Sequence, residues 1–343
     1  MNKFTFVPTS AVSFRNPLPS PRIISDVTIL EGDWDLDAIP LVDSPMYQSI
    51  KGFIERGTPM KVSGYYKRLK QKPPEQVKDT IQYRVRKLRD SILEKGVIPV
   101  ENDNIRVAIG RNGALIAVDG GTHRLILAHI LGIPQIPVEV MGRHPEWEAF
   151  RQKTRKLESI IYQQLPHPDL QDWPWYFNNK RADLIRPYIK GKTLIDLGCR
   201  YGAECHRMED EGWVCTGIES DTAVVGVAKV LHDSLNRNFS IWHGDATQIP
   251  PMTADVLLAY NVLVYLRQSP DYVKMLNNLH VNQVVFSAQE TDKGANGSLD
   301  AAHQVADLMG KTNITCIGTD ESARHPKRCT SIGSRPRKIY IIE

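Results

Sequence analysis

The second half of the chain alternates short strand-like runs with helical segments, and this alternation restricts the fold more than any other feature. From residue 181 onward the strand-like runs are TLIDLGC, VCTGIES, FSIWHGDA, ADVLLAYNVL, QVVFSAQE and KIYIIE. Strands that alternate with helices form mostly parallel sheets with helices packed on both faces. We therefore predict an α/β fold with a doubly wound, mostly parallel sheet for residues 181–343.

The first half has a different organisation, with helices, a hairpin and no regular alternation. Helix start and stop signals predict helices between residues 44 and 57 and between residues 73 and 96, and a further helix from Pro145 to residue 165. Asn112-Gly113 joins two apolar runs and predicts a tight hairpin. A chain of 343 residues is too long for one ordinary core. The predicted division is an α+β domain over 1–165, a Pro- and Trp-rich linker over 166–180, and a second domain over 181–343.

Composition excludes several classes of protein. No apolar run approaches the roughly 20 residues needed to span a bilayer, and no membrane partner is predicted. The N-terminal residues are too polar for a secretory signal, so a cytoplasmic location is expected. The five cysteines form no CxxC pair, and no metal site is predicted.

Basic residues cluster between Lys67 and Lys95, although the net charge is only +4. Apolar residues spaced by three and four place one stripe along the helix predicted between residues 73 and 96, and most basic residues fall on its other face. Such a face is usually solvated, and the alternative is a surface that binds a polyanion. A nucleic-acid partner is therefore left open and is not favoured.

The stretch LIDLGCRYGAE, from Leu194 to Glu204, leads from a strand into a helix. Gly198 and Gly202 let the backbone approach a ligand at the carboxyl edge of a parallel sheet. Glu219 ends the next strand, where a carboxylate can accept hydrogen bonds from ribose hydroxyls. Asp245 follows the third strand, where a carboxylate could contact an adenine amino group.

This arrangement resembles the class I S-adenosylmethionine-dependent methyltransferases over roughly residues 180–343. The resemblance implies a Rossmann-like, seven-stranded sheet, S-adenosylmethionine as the cofactor, and Asn261 near the methyl donor at the end of the fourth strand. The residues that the resemblance assigns to the cofactor are Asp196, Gly198, Cys199, Gly202, Glu219 and Asp245. One departure is Arg200, which stands where that family often has a third glycine. A dinucleotide-binding turn is the weaker alternative because GxGxxG is absent, and a scaffold that has lost its cofactor is another.

Methyl transfer depends on positioning, and it needs a base only when the acceptor is a hydroxyl. His243, His206 and Tyr265 are the candidate bases, with His243 and Asn261 taken as the catalytic candidates. The sequence after the fourth strand, YNVLVYL, lacks the Asn/Asp-Pro-Pro-Tyr/Phe motif of the amino methylases that act on nucleic acids. The predicted acceptor is a small polar molecule, such as a sugar or metabolite with a free hydroxyl.

A second glycine turn lies in the first half, where Gly120-Gly121 precedes a purely apolar helix. We predict that Thr122 caps this helix and that His123 and Arg124 bind an anion at its N-terminus. The simpler alternative is a tight turn in which Asp119 pairs with Arg124.

The turn resembles the ParB/sulfiredoxin-like domain over about residues 104–150, on its Gly-x-His-Arg sequence and the following IPV strand. The resemblance implies a nucleotide, ATP or ADP or CTP with Mg²⁺, whose phosphates Gly121, His123 and Arg124 would hold. It also implies a kinase-like phosphoryl transfer in which Asp33, or alternatively Glu31 or Asp35, acts as a base or metal ligand. The cysteine of sulfiredoxin is absent, and no helix-turn-helix follows the motif.

Two hypotheses follow from the sequence. The first is a methyltransferase with a nucleotide-binding, kinase-like first domain. The alternative is a nucleotide-dependent, DNA-associated binding protein that carries a methyltransferase-like domain.

Overall fold

In the computed structural model the chain divides into two compact units, Met1–Gln152 and Lys153–Glu343. The residues that the structure describes are 4–16, 28–60, 74–100, 104–118, 120–157, 161–171, 173, 175–177, 181–289, 297–320 and 337–343. The predicted division at residues 165 and 180 stays a prediction, although the structure groups residues 153–180 with the second unit. No helix within the described ranges combines the length and apolar character that crossing a membrane requires.

The first unit is built on a mixed sheet with helices around it. Its sheet has the strand order β1-β7-β5-β6-β2-β4, and β3 pairs with β7. The elements in chain order are β1 (Thr5–Pro8), β2 (Phe14–Arg15), β3 (Thr28–Ile29), β4 (Ile39–Pro40), α1 (Pro45–Arg56), α2 (Pro74–Lys95), β5 (Ile105–Ile109), β6 (Leu115–Ala117), α3 (Thr122–Ile130), β7 (Gln135–Arg143) and α4 (Pro145–Leu157), whose last residues belong to the second unit.

Local signals in the sequence account for the bounds of these helices and for the hairpin. Ser44 caps α1 by accepting a hydrogen bond from the Tyr47 amide, and Gly57 ends the helix in the left-handed conformation. Gly96, also left-handed, follows α2. β5 and β6 pair antiparallel across the predicted turn. The two predicted helices and the hairpin of the first half are thus confirmed.

The second unit is built on a seven-stranded sheet with the order β12-β11-β10-β13-β14-β16-β15. The first five strands are parallel, and β16 runs antiparallel to both of its neighbours. The elements in chain order are β8 (Ile161–Gln163), β9 (Trp175–Phe177), α5 (Arg181–Ile185), β10 (Thr193–Leu197), α6 (Ala203–Glu209), β11 (Val214–Glu219), α7 (Thr222–Ser234), β12 (Ser240–His243), β13 (Met252–Tyr260), α8 (Leu263–Leu266), α9 (Tyr272–Asn277), β14 (Leu279–Gln289), α10 (Gly297–Leu308), β15 (Ile314–Asp320) and β16 (Arg337–Ile342). The mostly parallel sheet predicted for this half is confirmed.

Both faces of this sheet are buried, which explains why its strands are apolar runs without strict alternation. Along β13, Leu257 and Ala259 pack into one apolar core cluster, and Val256 and Leu258 pack into another. Ala302 of α10 joins the first cluster, whereas α5 and α6 contribute residues to the second. Helices on both faces leave the strand ends at the carboxyl edge as the place for a site.

Two sequence predictions were wrong at the level of single elements. The helix predicted from Pro145 to residue 165 ends at Leu157, and Ile161–Gln163 form β8, which pairs with β9. The β-branched and aromatic residues of β8 favour a strand over a fifth helical turn. The strand β15 was missed because Ile314–Asp320 contains a glycine, two threonines and an aspartate, which interrupt the apolar pattern.

Candidate functional site

A cavity of about 420 Å³ opens at the carboxyl edge of the sheet in the second unit. This volume is within the range of small-molecule sites, roughly 300–1,000 Å³. Tyr265, one of the candidate bases, lines it together with five of the predicted cofactor and catalytic residues: Asp196, Gly198, Glu219, Asp245 and Asn261. They follow or end four neighbouring parallel strands, which is why residues far apart in the chain meet at one edge.

The loop from Gly198 to Gly202, of which Gly198 and Arg200 line the cavity, has an unusual backbone. Gly198, Arg200 and Gly202 all have positive φ angles, of 74°, 54° and 76°. The Gly198 and Cys199 amides both donate to the Ile218 carbonyl, at 2.8 and 3.0 Å, which ties the loop to β11. The chain can therefore turn sharply from β10 into α6 while its backbone stays beside the cavity.

Glu219 is held rigidly at the end of β11. Its Oε2 accepts a hydrogen bond from the Arg200 amide at 3.0 Å, and its Oε1 accepts from the Ser220 and Asp221 amides, both at 2.9 Å. A carboxylate offers about four acceptor positions, so a position on Oε2 remains for a ligand hydroxyl. The side chain lines the cavity and is 6% exposed.

Asp196, the last charged residue of β10, has an altered acidity. Burial, and then the negative charge of Glu219, raise the pKa of its carboxyl to about 7, and the positive charge of Arg181 opposes both effects. Arg181 also lines the cavity, with its guanidinium 5.0 Å from the centre of the Tyr260 ring. A cationic ligand group beside Asp196 would relieve the repulsion between the two carboxylates.

Asp245 and Asn261 complete the predicted set. Asp245 begins a short 3-10 helix and accepts hydrogen bonds from the amide and hydroxyl of Thr247, both at 2.9 Å. Asn261 follows β13 with a φ of 60°, and its amide donates to the Ser287 carbonyl at 2.7 Å. Both side chains are therefore placed by local backbone geometry at the ends of their strands.

Other candidates of the second unit lie away from the cavity lining. Cys199 is fully buried, and its pKa is raised well above the ordinary thiol value by burial, then by Asp196 and Glu219. Gly202 packs under the Phe239 ring. His243 is exposed at the end of β12, with its Nε2 3.3 Å from the Thr222 hydroxyl. His206 is buried beside Phe239, and burial, then Arg237, lower its pKa well below the usual value.

Several lining residues were not predicted from the sequence as site residues. Tyr162 and Gln163 come from β8, and Gln163 accepts a hydrogen bond from the Tyr201 amide at 3.3 Å. The Arg200 guanidinium lies over the rings of Tyr162 and Tyr201, at 5.3 and 5.6 Å from their centres. Tyr162 and Gln163 were missed because they lie in the segment that was interpreted as a helix up to residue 165. The remaining unpredicted lining residues with polar side chains are Arg181, Ser220, Tyr260 and Arg337.

The glycine turn of the first unit has a different setting. A Cβ atom on Gly121 would lie 2.6 Å from the Ile105 Cα and 2.7 Å from the Asn104 carbonyl oxygen, so close packing on β5 requires glycine there. The prediction that Thr122 caps α3 is wrong, because the N-cap residue is Gly121 and no side chain caps the helix. His123 is half-buried and Arg124 is 7% exposed. Asp119, the alternative partner of Arg124, is outside the described residues.

In the acidic segment around Trp34, two aspartates accept hydrogen bonds from Arg111. Arg111 donates to Asp33 at 2.7 Å and binds Asp35 through both its backbone amide and its guanidinium. Burial raises the pKa of Asp35, but hydrogen bonds from Arg111 outweigh it and lower the pKa overall. Asp33 is thus an ion-pair partner of Arg111, and its predicted role in phosphoryl transfer stays a prediction. Among the described residues, no group of three or more His, Cys, Asp and Glu side chains is arranged to hold a metal ion.

The basic cluster is described only in part. Lys67, Arg68, Lys70 and Lys72 are outside the described residues, whereas Arg84, Arg86 and Lys87 are exposed on α2. The Arg86 guanidinium lies 5.0 Å from the centre of the Phe53 ring. The described part of the cluster is an exposed helix face, as in the simpler of the two interpretations.

Comparison with known proteins gives methyltransferases as structural neighbours. No protein-family model and no curated protein matches the chain. One similar solved structure is the bifunctional kinase-methyltransferase WbdD, at 17% identity and a TM-score of 0.41 over 56% of this chain and 45% of that chain. Another is magnesium protoporphyrin IX methyltransferase from Synechocystis PCC 6803 with bound SAM, at 15% identity and a TM-score of 0.36 over 47% of this chain and 75% of that one.

A third neighbour is an rRNA methylase from Escherichia coli, at 16% identity and a TM-score of 0.33 over 48% of this chain and 62% of that chain. The region aligned with WbdD, the first of these neighbours, spans less than half of the length of WbdD. All identities lie below 25% and all TM-scores below 0.5, so the function proposed below is drawn from the residues of the cavity.

Proposed function

We propose that the second unit transfers a methyl group from S-adenosylmethionine to a small polar acceptor. The observation that carries this proposal is the meeting of Glu219, Asp196 and Asp245 around one 420 Å³ cavity beside a left-handed glycine loop. The cavity has the size for a nucleoside-type ligand, and its carboxylates have the chemistry for a ligand with hydroxyl, amino and cationic groups.

Each carboxylate has a separate task in this proposal. Glu219, fixed by three backbone amides, accepts a ribose hydroxyl through Oε2. Asp245 contacts the adenine amino group, and Asp196 faces the cationic amino-acid end, where Arg181 would bind the carboxylate. The bound cofactor would supply a methyl group on a positively charged sulfur, which leaves with the electron pair of the broken carbon–sulfur bond.

The protein's contribution is then positioning and desolvation. Asn261 is 8% exposed in a left-handed conformation just after β13, and it lines the cavity. An amide there can orient the acceptor without exchanging a proton. The candidate base His243 is exposed and not in the lining, so we propose Asn261 as the acceptor-positioning residue.

Calorimetric titration with S-adenosylhomocysteine tests the proposal. Wild-type chain should bind one equivalent, and Asp196→Ala and Glu219→Ala should lose binding. Glu219→Gln keeps the shape of the side chain and should weaken binding at least about tenfold, as expected for loss of a charged hydrogen bond. Asp233→Ala removes an exposed carboxylate of α7 and is the matched control. Unchanged affinity for S-adenosylhomocysteine in the Asp196 and Glu219 variants would contradict the proposal that these residues bind the cofactor.

For the first unit we propose that a nucleotide phosphate binds at the start of α3. Support comes from the absence of any side-chain cap on this nine-residue helix and from His123 in its first turn. The backbone amides and the partial positive charge at a helix N-terminus attract anions. A thermal-shift screen with ATP, ADP, CTP and GTP, repeated on His123→Ala, tests this. No stabilisation by any of the four nucleotides would contradict it.

A further inference from the structure

One face of the short helix α8 lines the cavity with apolar and aromatic side chains. The Tyr265 and Leu266 amides donate to the carbonyl of Val262, which caps this helix, at 3.0 and 3.2 Å. Residues three and four apart lie on one side of a helix, and these three side chains all line the cavity. Leu263 is buried in the apolar core and fixes the helix in place. The α8 wall (Val262, Tyr265 and Leu266) thus follows Asn261 directly in the chain.

Three tyrosine rings line the cavity, and arginines of the same unit cover two of them. The Arg181 guanidinium lies 5.0 Å from the centre of the Tyr260 ring, and the Arg200 guanidinium lies 5.3 Å from the centre of the Tyr162 ring. Tyr265 differs, because among the described residues its ring has no aromatic or cationic partner and its hydroxyl has no hydrogen-bond partner. Its side chain is 68% exposed. The Tyr265 ring is therefore open to a ligand.

We propose that the methyl acceptor carries an aromatic ring, which packs on the Tyr265 ring, and a hydroxyl that receives the methyl group. The inference rests on the proposed function, which places the cofactor in this cavity and the acceptor beside Asn261. Aromatic rings pair in offset-stacked or edge-to-face arrangements, and Val262 and Leu266 offer further apolar contacts. A sugar ring fits an apolar wall less well, because its hydroxyls need hydrogen-bond partners. The acceptor class is thus a phenol.

A phenol also suits the chemistry of this cavity. No histidine lines the cavity in the part of the chain that the structure describes. A phenol, like the tyrosine side chain, has a pKa of about 10 and loses its proton far more readily than a sugar hydroxyl. In the transfer, the phenol oxygen forms a bond to the methyl carbon, the carbon–sulfur bond breaks with its electron pair on sulfur, and the phenolic proton passes to water. The products are an aryl methyl ether and S-adenosylhomocysteine.

Matched pairs of aromatic and saturated alcohols test the proposal without knowledge of the natural acceptor. Phenol against cyclohexanol, and 2-naphthol against decahydro-2-naphthol, are titrated into the full chain by ligand-observed NMR. Each titration is done with and without saturating S-adenosylhomocysteine. We expect the aromatic member of at least one pair to bind at least about threefold more tightly than its saturated partner, as contact between two rings predicts. Tyr265→Ala should abolish this preference, and Tyr265→Phe should keep it because the ring remains.

Tyr188→Ala is the control, since it removes an exposed tyrosine of the second unit that does not line the cavity. It should leave the preference for aromatic probes unchanged. Equal binding of the two members of each pair, or equal effects of Tyr265→Ala and Tyr188→Ala, would overturn the inference. Tighter binding of methyl glucoside than of phenol would overturn it in favour of a sugar acceptor.

The affinity of each variant for S-adenosylhomocysteine shows whether the Tyr265 ring contacts the cofactor instead. A loss of affinity of more than about threefold in Tyr265→Ala, with the preference for aromatic probes intact, would assign this ring to the cofactor and overturn the inference. Failure of S-adenosylhomocysteine to bind the wild-type chain would count against the proposed function alone, because the preference for aromatic probes is also measured without it.

Discussion

The turn at Gly120-Gly121 and the loop from Gly198 to Gly202 both lead toward a helix, yet their glycines meet different requirements. A side chain on Gly121 would collide with the backbone of β5, whereas a Cβ on Gly198 would meet only the Val262 side chain, at 3.2 Å. The first turn is thus required by packing, and the second lies beside a cavity. Glycines before a helix indicate a close approach, and only the surrounding residues tell whether the close neighbour is backbone or ligand.

Alanine substitutions at the glycines separate the packing requirement from the ligand requirement. The largest expected effect is the loss of stability in Gly121→Ala. Gly121→Ala adds backbone overlap of about 1–3 kcal/mol to the left-handed cost of about 1–2 kcal/mol, so we expect a loss of roughly 3 kcal/mol. Gly57→Ala is the matched control, because Gly57 has a similar φ of 66° and no atom within 4 Å of the added methyl group. Calorimetric unfolding of the full chain measures both variants.

Gly198→Ala should fall between them in stability, since the Val262 side chain can move. Its additional effect should be weaker binding of S-adenosylhomocysteine, which Gly57→Ala would not change. Equal destabilisation by Gly121→Ala and Gly57→Ala would mean that the packing of Gly121 on β5 is not as described.

The sequence predicted the second unit better than the first for a physical reason. Buried parallel strands that alternate with helices leave a strong pattern of apolar runs in the sequence. This pattern located the carboxyl ends of β10, β11 and β12. β8 could not be predicted, because three residues at the end of a polar helix carry too little pattern. Its Tyr162 and Gln163, and Arg337 at the start of β16, reach the cavity through tertiary pairing that local sequence does not encode.

The next effect concerns the acidity of Asp196, which lies in β10 two residues before the loop from Gly198 to Gly202. Because the pKa of this carboxyl is raised to about 7, it holds a proton below neutral pH. A cationic ligand group needs the ionised form, so binding releases a proton and affinity rises with pH. We expect affinity for S-adenosylhomocysteine to increase about tenfold from pH 6 to pH 8.

The Asp196→Asn variant cannot ionise at this position. We therefore expect it to bind S-adenosylhomocysteine at every pH with the weak affinity that the wild-type chain has at pH 6. Calorimetry in buffers of different ionisation enthalpy reports the released proton directly. A wild-type affinity that is flat over this range would place the cationic end of the ligand elsewhere.

The smallest effect is expected at Arg200, the departure from a third glycine. Its φ of 54° favours glycine, but its guanidinium lies over Tyr162 and Tyr201. Arg200→Gly relieves the backbone and removes contacts worth about 0.5–1 kcal/mol, so stability should change by less than about 1 kcal/mol. We expect ligand affinity to fall only a few-fold. Titration of this variant measures the loss, and the control is Arg267→Gly, an exposed position just after α8 that does not line the cavity. A loss as large as in Glu219→Gln would make Arg200 a main binding residue.

Hydrogen exchange of the full chain with and without S-adenosylhomocysteine tests the contrast between the two turns most directly. We expect slower amide exchange at residues 198–202, 219–221 and 244–247, with no change at residues 120–124. Protection at residues 120–124, or none around Glu219, would contradict the proposed contrast.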